Sequence, residues 1–510
     1  MTSSKGSTAA GVSHTHSIRL TAPSSSDAQK LENAELRYHM GLLNSTSTQE
    51  AKEASLAPIV SGCVLRHKSD STESTSGISQ YGLLAGLCHV LTSIDPKQEL
   101  NLEDSGDPRL FFNVTSPSST FICGSQGSGK SHTLSCMLEN CLIPSKAGQL
   151  PRPLTGVLFH YDTFISDTGG SPCEAAFLSS NDAVTAVYSR FNIRVDPLQI
   201  DQKDLNTKRM QDLMAVSQEG GPMPLYMHTV KTILRDMRIQ QQLTGTGFDY
   251  GEFLKRVMNS DLTSSQFGPL KQRLDTLQSF MPQGQANSYD KKGKKSLLSK
   301  GTDWEPQSGH LTIVDLSCPC ISPDTACSLF NVCLEIFLEQ NPAIGRVVAL
   351  DEAHKYMNSS PEAYGFTNTL LSAVRLQRHL GARVIISTQE PTISTALLNL
   401  CSVTIAHRFT SPEWLRTLRS HLAAAAADAK NGPAPNPSDE NSVENSSASL
   451  FDRIVRLDVG EALLFSPSAI VGASDRGDNQ LALHRLGTEC VTVKIRARLT
   501  LDGGKSILSH

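Results

Sequence analysis

Residues Phe121-Ile-Cys-Gly124-Ser-Gln-Gly-Ser-Gly-Lys130-Ser131 decide how the chain is read, because from Gly124 they spell G-x-x-x-x-G-K-[ST] behind an apolar strand. The glycines let successive backbone N–H groups turn inward as an anion nest, and a helix from His132 to Leu142 supplies its N-terminus where the motif needs one. Gly124, Ser125, Gln126, Gly127, Ser128, Gly129, Lys130, Ser131 and His132 are therefore the expected nucleotide cradle. Lys130 reaches the β- and γ-phosphates of a nucleoside triphosphate, and the Ser131 hydroxyl is a Mg²⁺ ligand. ATP and Mg²⁺ are the expected cofactors.

The second half of such a site lies more than two hundred residues on. Arg346-Val-Val-Ala-Leu350 is a buried strand that delivers Asp351-Glu352 at its C-terminal end. Two adjacent acids there divide the work: Asp351 holds the Mg²⁺ shell, and Glu352 polarises the attacking water as catalytic base. Arg383-Val-Ile-Ile-Ser387 then reads as a further strand, and Gln389 just beyond it is placed to sense the γ-phosphate. More strands are expected at Leu110–Val114, Gly156–Tyr161, Leu311–Leu316 and Val403–Ala406. A helix is expected from Ser322-Pro323-Asp324 to Leu338, and another from Thr369 to His379. Strands alternating with helices imply an α/β, doubly wound, mainly parallel sheet.

The intervening residues change character. From 166 to 304 the pattern is helical, with Leu270, Leu274, Leu277 and Met281 on one face as a packing stripe. Asp290-Lys-Lys-Gly-Lys-Lys-Ser296 is the densest basic run, read as a solvated loop, with a phosphate-contacting loop or an import signal as alternatives. Residues 1–54 are rich in Ser and Thr and are expected to be a disordered tail, 55–118 a lead-in segment, and 421–450 a low-complexity linker. The ATPase core is expected over 119–165 and 305–420, with strands in 451–510 completing or bracing it. Lys494, Arg496 and Arg498 alternate along Cys490–Thr500, as on an edge strand whose charges discourage aggregation, with a phosphate-facing or intersubunit role as the alternative.

Composition narrows the class. The 510 residues are 39% hydrophobic and 19% charged with a formal net charge of −4, a balance that demands no polyanionic partner. No run approaches the ~18 apolar residues of a membrane span and the N-terminus has no signal-like core. A soluble intracellular protein is expected, in the nucleus or the cytoplasm. The twelve cysteines are scattered, apart from Cys318-Pro-Cys320, and none has the paired spacing of a zinc site, so they read as reduced core residues. Asp351-Glu-Ala-His354 suggests a helicase with two tandem motor domains, but the residues after Gln389 are too few to build the second one.

In order and spacing these stretches resemble the HerA/FtsK superfamily of ring-forming P-loop motors, especially its HerA-like branch, with zonula-occludens-toxin-like NTPases as close neighbours. The resemblance is carried by residues 124–131, by Leu-Thr-Ile-Val-Asp-Leu-Ser at 311–317 and by Val-Val-Ala-Leu-Asp-Glu-Ala-His at 347–354. Arg-His-Leu-Gly-Ala-Arg-Val-Ile-Ile-Ser-Thr-Gln-Glu-Pro at 378–391 and Ile-Ala-His-Arg-Phe at 405–409 complete it. It implies a RecA-like P-loop NTPase with a helical insert between the two halves of the site, ATP hydrolysis and a hexamer. Double-stranded DNA, or another polymer, is the implied cargo. It further implies a trans-acting arginine finger, Arg378, with Arg375 and Arg408 behind it. The competing reading is a nucleotide-dependent switch that recruits a protein partner. The family usually carries an N-terminal β-barrel, for which the residues following 1–54 are too few and too sparsely stranded.

Overall fold

In the computed structural model the described residues are 37–40, 54–70, 77–91, 107–163, 173, 175–176, 194, 196–214, 225–282, 285, 300–318, 320–341, 343–422, 450–475 and 481–501. Residues 1–54 fall almost wholly outside this set, as do the basic run at 290–296 and most of the linker at 421–450. Residues 37–40 form one helical turn in a unit of their own, Met1–Glu53; everything below concerns the unit Ala54–His510.

A single sheet organises that unit. Its parallel half runs in the order β10 (Val403–Ala406), β4 (Ser119–Cys123), β9 (Ala382–Thr388), β8 (Arg346–Leu350), β6 (Thr155–His160) and β7 (Leu311–Asp315). β4, β6, β8, β9 and β10 are buried at every residue, as strands covered by helices on both faces must be. This burial explains their unbroken apolar runs. Because all six run the same way, their C-terminal ends open on one edge, where an open α/β sheet binds its ligands.

The other half is antiparallel and mixes the two ends of the chain. β11 (Glu461–Phe465) pairs β10, then β14 (Val491–Ile495), β2 (Tyr81–Leu87), β3 (Arg109–Asn113) and β1 (Ile59–Ser61) follow in antiparallel steps. β12 (Ile470–Asp475) joins β1 in parallel and β13 (Leu481–Arg485) closes the order, while the short β5 (Gly148–Gln149) pairs β2. The strands of residues 54–118 thus belong to the same sheet as the phosphate-binding strand, interleaved with C-terminal strands.

β14 corrects one expectation. It is an interior strand, flanked by β11 and β2, and it ends at Ile495. Arg496 lies beyond it with its side chain only 8% exposed rather than displayed on an edge: its guanidinium donates to Glu139 at 2.7 Å. Period-2 charge gave no hint of a buried acid 357 residues away in sequence.

Helices cover the sheet where their caps allow. α1 (Lys130–Leu142) follows β4 directly. Between β6 and β7 lie α2 (Thr207–Met214), α3 (Leu225–Thr244), α4 (Tyr250–Met258) and α5 (Ser264–Ser279), the expected helical insert. Leu270, Leu274, Leu277 and Met281 are buried in the same apolar cluster as Phe121 and Phe159 of the sheet, so the stripe is a packing face. α6 (Pro323–Glu339) starts as read, with the Ser322 hydroxyl accepting from Thr325 N–H and Pro323 in the first turn. α7 spans Pro361–Arg375 rather than beginning at Thr369. Ser360 caps it through Ala363 N–H and Pro361 opens it, the same start signal as at Ser322-Pro323.

Candidate nucleotide site

The phosphate-binding loop is shaped by its glycines. Gly124, Gly127 and Gly129 have φ of 152°, 71° and 109°, in a region side chains disfavour. Contacts add a second constraint at Gly124, where a Cβ would lie 2.7 Å from His407 Cβ and 2.8 Å from Ser128 Oγ. The loop is held in place by its own polar groups. Ser128 Oγ donates to Ser125 O at 2.7 Å, and Ser125 donates through both N and Oγ to Arg408 O, at 2.9 and 2.8 Å. Lys130 Nζ donates to Ser125 O at 3.0 Å, so its ammonium folds over the loop toward the nest.

Beneath the loop His407, at the end of β10, acts as a pin. Burial pulls its imidazole down to about 4, so it is neutral at physiological pH. Its Nδ1 then donates to Glu461 O at 2.8 Å and its Nε2 accepts from Thr133 Oγ1 at 2.9 Å, joining β11, β10 and α1 under the loop. His132 faces another way, its Nε2 being 2.8 Å from Arg496 O. A second tie secures α1: Glu139 accepts from Arg496, from the N–H groups of Leu499 and Thr500, and from the Thr500 hydroxyl. The C-terminal segment is thereby strapped across the helix that presents Lys130 and Ser131.

The acidic pair emerges on the same edge, one strand removed from β4. In register, Cys123 of β4 lies opposite Thr388 of β9, and Leu350 of β8 opposite Ile386 of β9. β9 therefore stands between the loop and the acids and delivers Gln389 into the gap. Gln389 Nε2 donates to Glu352 Oε2 at 3.3 Å. His354, which sequence reading used only to weigh a helicase, sits in the same group. Burial pulls its imidazole below the ordinary value against the carboxylates of Glu352 and Glu390, and its neutral Nδ1 is 3.4 Å from both Gln389 N and Glu352 Oε2.

Glu352 is the only non-glycine residue at positive φ among the described residues, with φ 47° and ψ 45°. A left-handed residue of this type costs about 1–3 kcal/mol and persists where its surroundings over-determine it. The short helical turn that Glu352 opens ends at Tyr356, which joins an aromatic cluster: Phe330 lies 5.0 Å from Phe159 and 5.1 Å from Tyr356, and Phe159 meets Phe366 edge-on at 5.7 Å. Each such ring pair adds about 0.5–1.5 kcal/mol beyond its buried area. The contacts Glu352 itself makes are the hydrogen bond from Gln389 Nε2 and the approach of His354 Nδ1.

Asp351 is buried and its Oδ1 has no hydrogen-bond partner among the described residues. An orphaned carboxylate oxygen beside a phosphate nest fits a Mg²⁺ shell, with Ser131 at the start of α1 as the second donor. The other oxygen, Oδ2, is 3.4 Å from His160 Nδ1 and 4.0 Å from Cys173 Sγ. Burial alone would lower the His160 imidazole, but Cys173 and the Asp351 carboxylate outweigh it and hold the value well above ordinary. Burial likewise pushes the Cys173 thiol up.

A phosphate-binding loop after a parallel strand, with the acids following a strand separated from it by β9, decides the class. The fold is that of a RecA-like P-loop NTPase. No protein-family model and no curated protein matches the sequence. Among solved structures, VirB4 of Thermoanaerobacter pseudethanolicus shares 12% identity over 79% of this chain and 98% of its own, at a TM-score of 0.43. The bacterial conjugative coupling protein TrwB shares 12% over 83% and 97%, at 0.37. B204, the DNA-packaging ATPase of Sulfolobus turreted icosahedral virus, shares 10% over 72% and 98%, at 0.29. These are similarities of this P-loop chain to other proteins; its class rests on its own strand order and loop.

The remaining expected site residues lie apart. Arg378 is exposed in the helical turn Gln377–Leu380, which precedes β9. Gln389 follows the far end of the same seven-residue strand. At about 3.3 Å per residue the two are roughly 20 Å or more apart. Arg375 is exposed at the end of α7, and Arg408 is exposed beside the loop whose Ser125 its carbonyl receives.

Proposed function

We propose that the chain binds Mg·ATP and hydrolyses it as a motor of the HerA/FtsK type, working as a homo-hexamer that translocates double-stranded DNA. The observation that carries the hydrolytic part is the convergence of the Lys130–Ser131 loop, Asp351 and the Glu352–Gln389 contact on one edge of the sheet. In this reading the loop amides and Lys130 hold the β- and γ-phosphates, and Ser131 and Asp351 hold Mg²⁺, which neutralises charge on the phosphates. Glu352 accepts the proton of the attacking water. Gln389, bonded to Glu352, orients that water and carries the state of the γ-phosphate along β9.

Arg378 belongs to the neighbouring site in this reading. The length of β9 keeps it from the nucleotide of its own subunit, so a catalytic role requires a second subunit. The hexamer and the DNA cargo rest on the sequence resemblance and on this trans requirement. No helix among the described residues is long and apolar enough to cross a membrane.

The test is the steady-state ATPase rate of purified protein with and without double-stranded DNA, beside its mass in solution with a non-hydrolysable ATP analogue. Hexamers whose turnover rises with DNA are expected. A monomer or dimer that binds ATP and ignores DNA would replace the motor with a nucleotide-dependent switch that recruits a protein.

A further inference from the structure

Three potential metal donors lie together behind the acidic edge, and ATP hydrolysis as proposed uses only one of them. His160 ends β6, Asp351 follows β8, and Cys173 comes in from the segment after β6. Register explains the meeting: Phe159 pairs Leu350, so the next residue on each strand, His160 and Asp351, emerges at the same level. All three side chains are buried, with relative exposures of 6%, 0% and 3% for His160, Cys173 and Asp351. One donor atom from each lies within 4.8 Å of the others.

Two observations say that this is more than a packed corner. First, His160 Nε2 is buried without a hydrogen-bond partner among the described residues, and its Nδ1 is engaged only with the other members of the group, lying 3.4 Å from Asp351 Oδ2. Orphaned buried polar atoms are rare in folded proteins and are costly unless something satisfies them. Second, the spacing suits a tetrahedral ion. With metal–N and metal–O bonds of about 2.05 Å and a metal–S bond of about 2.3 Å, ligand atoms at a tetrahedral angle stand roughly 3.4 Å (N to O) and 3.6 Å (S to O) apart. The observed separations are 3.4 Å from His160 Nδ1 to Asp351 Oδ2 and 4.0 Å from Cys173 Sγ to the same oxygen. A mixed sulfur, nitrogen and oxygen set selects a borderline-soft cation of the Zn²⁺ class over Mg²⁺, which takes oxygen.

We infer that His160, Cys173 and Asp351 form a three-residue site for a thiophilic divalent cation of the Zn²⁺ class, and that its occupation withdraws Asp351 from the Mg²⁺ shell and arrests ATP hydrolysis. Binding releases two protons to solvent, one from the Cys173 thiol and one from the His160 imidazole that the Asp351 carboxylate holds charged, and the ion keeps its charge throughout, so no oxidant is needed. The fourth position is left to water or to a nucleotide oxygen. Binding of the ion stands on geometry alone; its effect on turnover rests on the assignment of Asp351 to Mg²⁺. Paired cysteine spacing is absent here, which is why the sequence carries no zinc signature.

The two parts are tested separately on the full chain. Metal-free protein is titrated with Co²⁺ and then Zn²⁺ in the absence of nucleotide, following the cobalt–thiolate charge-transfer absorption and the heat of binding. Wild type is expected to take up one equivalent with a sulfur-dependent band. Cys173→Ser should lose that band and weaken binding by more than the roughly 10–100-fold that loss of a supporting outer-shell group costs. His160→Asn should weaken binding similarly while keeping a thiolate band at higher cobalt. Lys130→Ala, impaired in nucleotide handling, should bind the ion as wild type does, which keeps this readout independent of the ATPase reading. In turnover assays Zn²⁺ should inhibit wild type reversibly, with a chelator restoring the rate, and should spare Cys173→Ser at the same concentrations. No binding by wild type, or equal binding by Cys173→Ser, overturns the site. Binding with unaltered turnover overturns the inhibitory role alone.

Discussion

Replacing Glu139 by Gln should loosen the C-terminal strap from α1 at a cost that can be worked out from its partners. Glu139 is fully buried, and its carboxylate receives Arg496 Nη1 at 2.7 Å, Thr500 Oγ1 at 2.7 Å and Thr500 N at 3.0 Å, with Leu499 N at 3.0 and 3.1 Å to its two oxygens. Gln keeps the shape and one acceptor oxygen but removes the charge, leaving the Arg496 guanidinium, only 8% exposed, without its counter-ion. Breaking one side of a buried pair costs about 3–5 kcal/mol. With an unfolding entropy of about 2.1 cal/mol/K per residue over the roughly 350 described residues, each kcal/mol lowers Tm by about 1.4 °C, so a fall of about 4–7 °C is expected. Burial alone would raise the Glu139 carboxyl, yet Thr500, Leu499 and Arg496 hold it below its ordinary 4.5. Its contribution is thus present above pH 4.5 and lost as pH falls through the lower folded value, so the gap between wild type and variant should close in acid. Thermal unfolding followed by circular dichroism at pH 7 and at successively lower pH reads both effects. A variant that melts within 1 °C of wild type at pH 7, or a gap that widens in acid, would refute the strap. Arg496→Met combined with Glu139→Gln should recover part of the loss, since the uncompensated charge goes with it.

Three further outcomes test the site. Glu352→Gln should retain ATP binding and lose hydrolysis, trapping an ATP-bound state measurable by filter binding; normal turnover would end its assignment as base. Gly124→Ala should weaken nucleotide binding about tenfold or more, because the added Cβ meets His407 Cβ at 2.7 Å, while Gly127→Ala, whose Cβ meets open space, should lose less in the same calorimetric titration. Arg378→Ala should leave ATP affinity near normal and cut oligomer-dependent turnover. Mixed with wild type it should lower the rate more than dilution does if the arginine acts in trans.

Local chemistry made the candidate site edge legible. A loop that must turn its amides inward needs glycine at set positions, so Gly124–Ser131 announces itself; a buried parallel strand must be apolar to its end, so Asp351-Glu352 stands out after Arg346–Leu350. Gln389 was readable because β9 is equally apolar up to its polar exit. The start of α7 was also present in the sequence, in Ser360-Pro361, but an exposed turn before a long apolar face hid it. The helical insert followed from the 3/4 spacing of Leu270, Leu274 and Leu277, which packing against the sheet then explains.

Tertiary structure alone decided the pairings. Arg496 read as a surface charge because alternation along one strand says nothing about what lies on the neighbouring helix, and only the fold brings Glu139 beneath it. His407 under the loop, His354 beside Glu352 and Gln389, and the His160, Cys173 and Asp351 group are all made by register between strands far apart in sequence. The residue types and backbone demands of the phosphate site are written into contiguous segments, since each depends on φ, burial and periodicity within a few residues. Which buried charge meets which, and therefore what holds and tunes that site, depends on long-range contacts that no local pattern records.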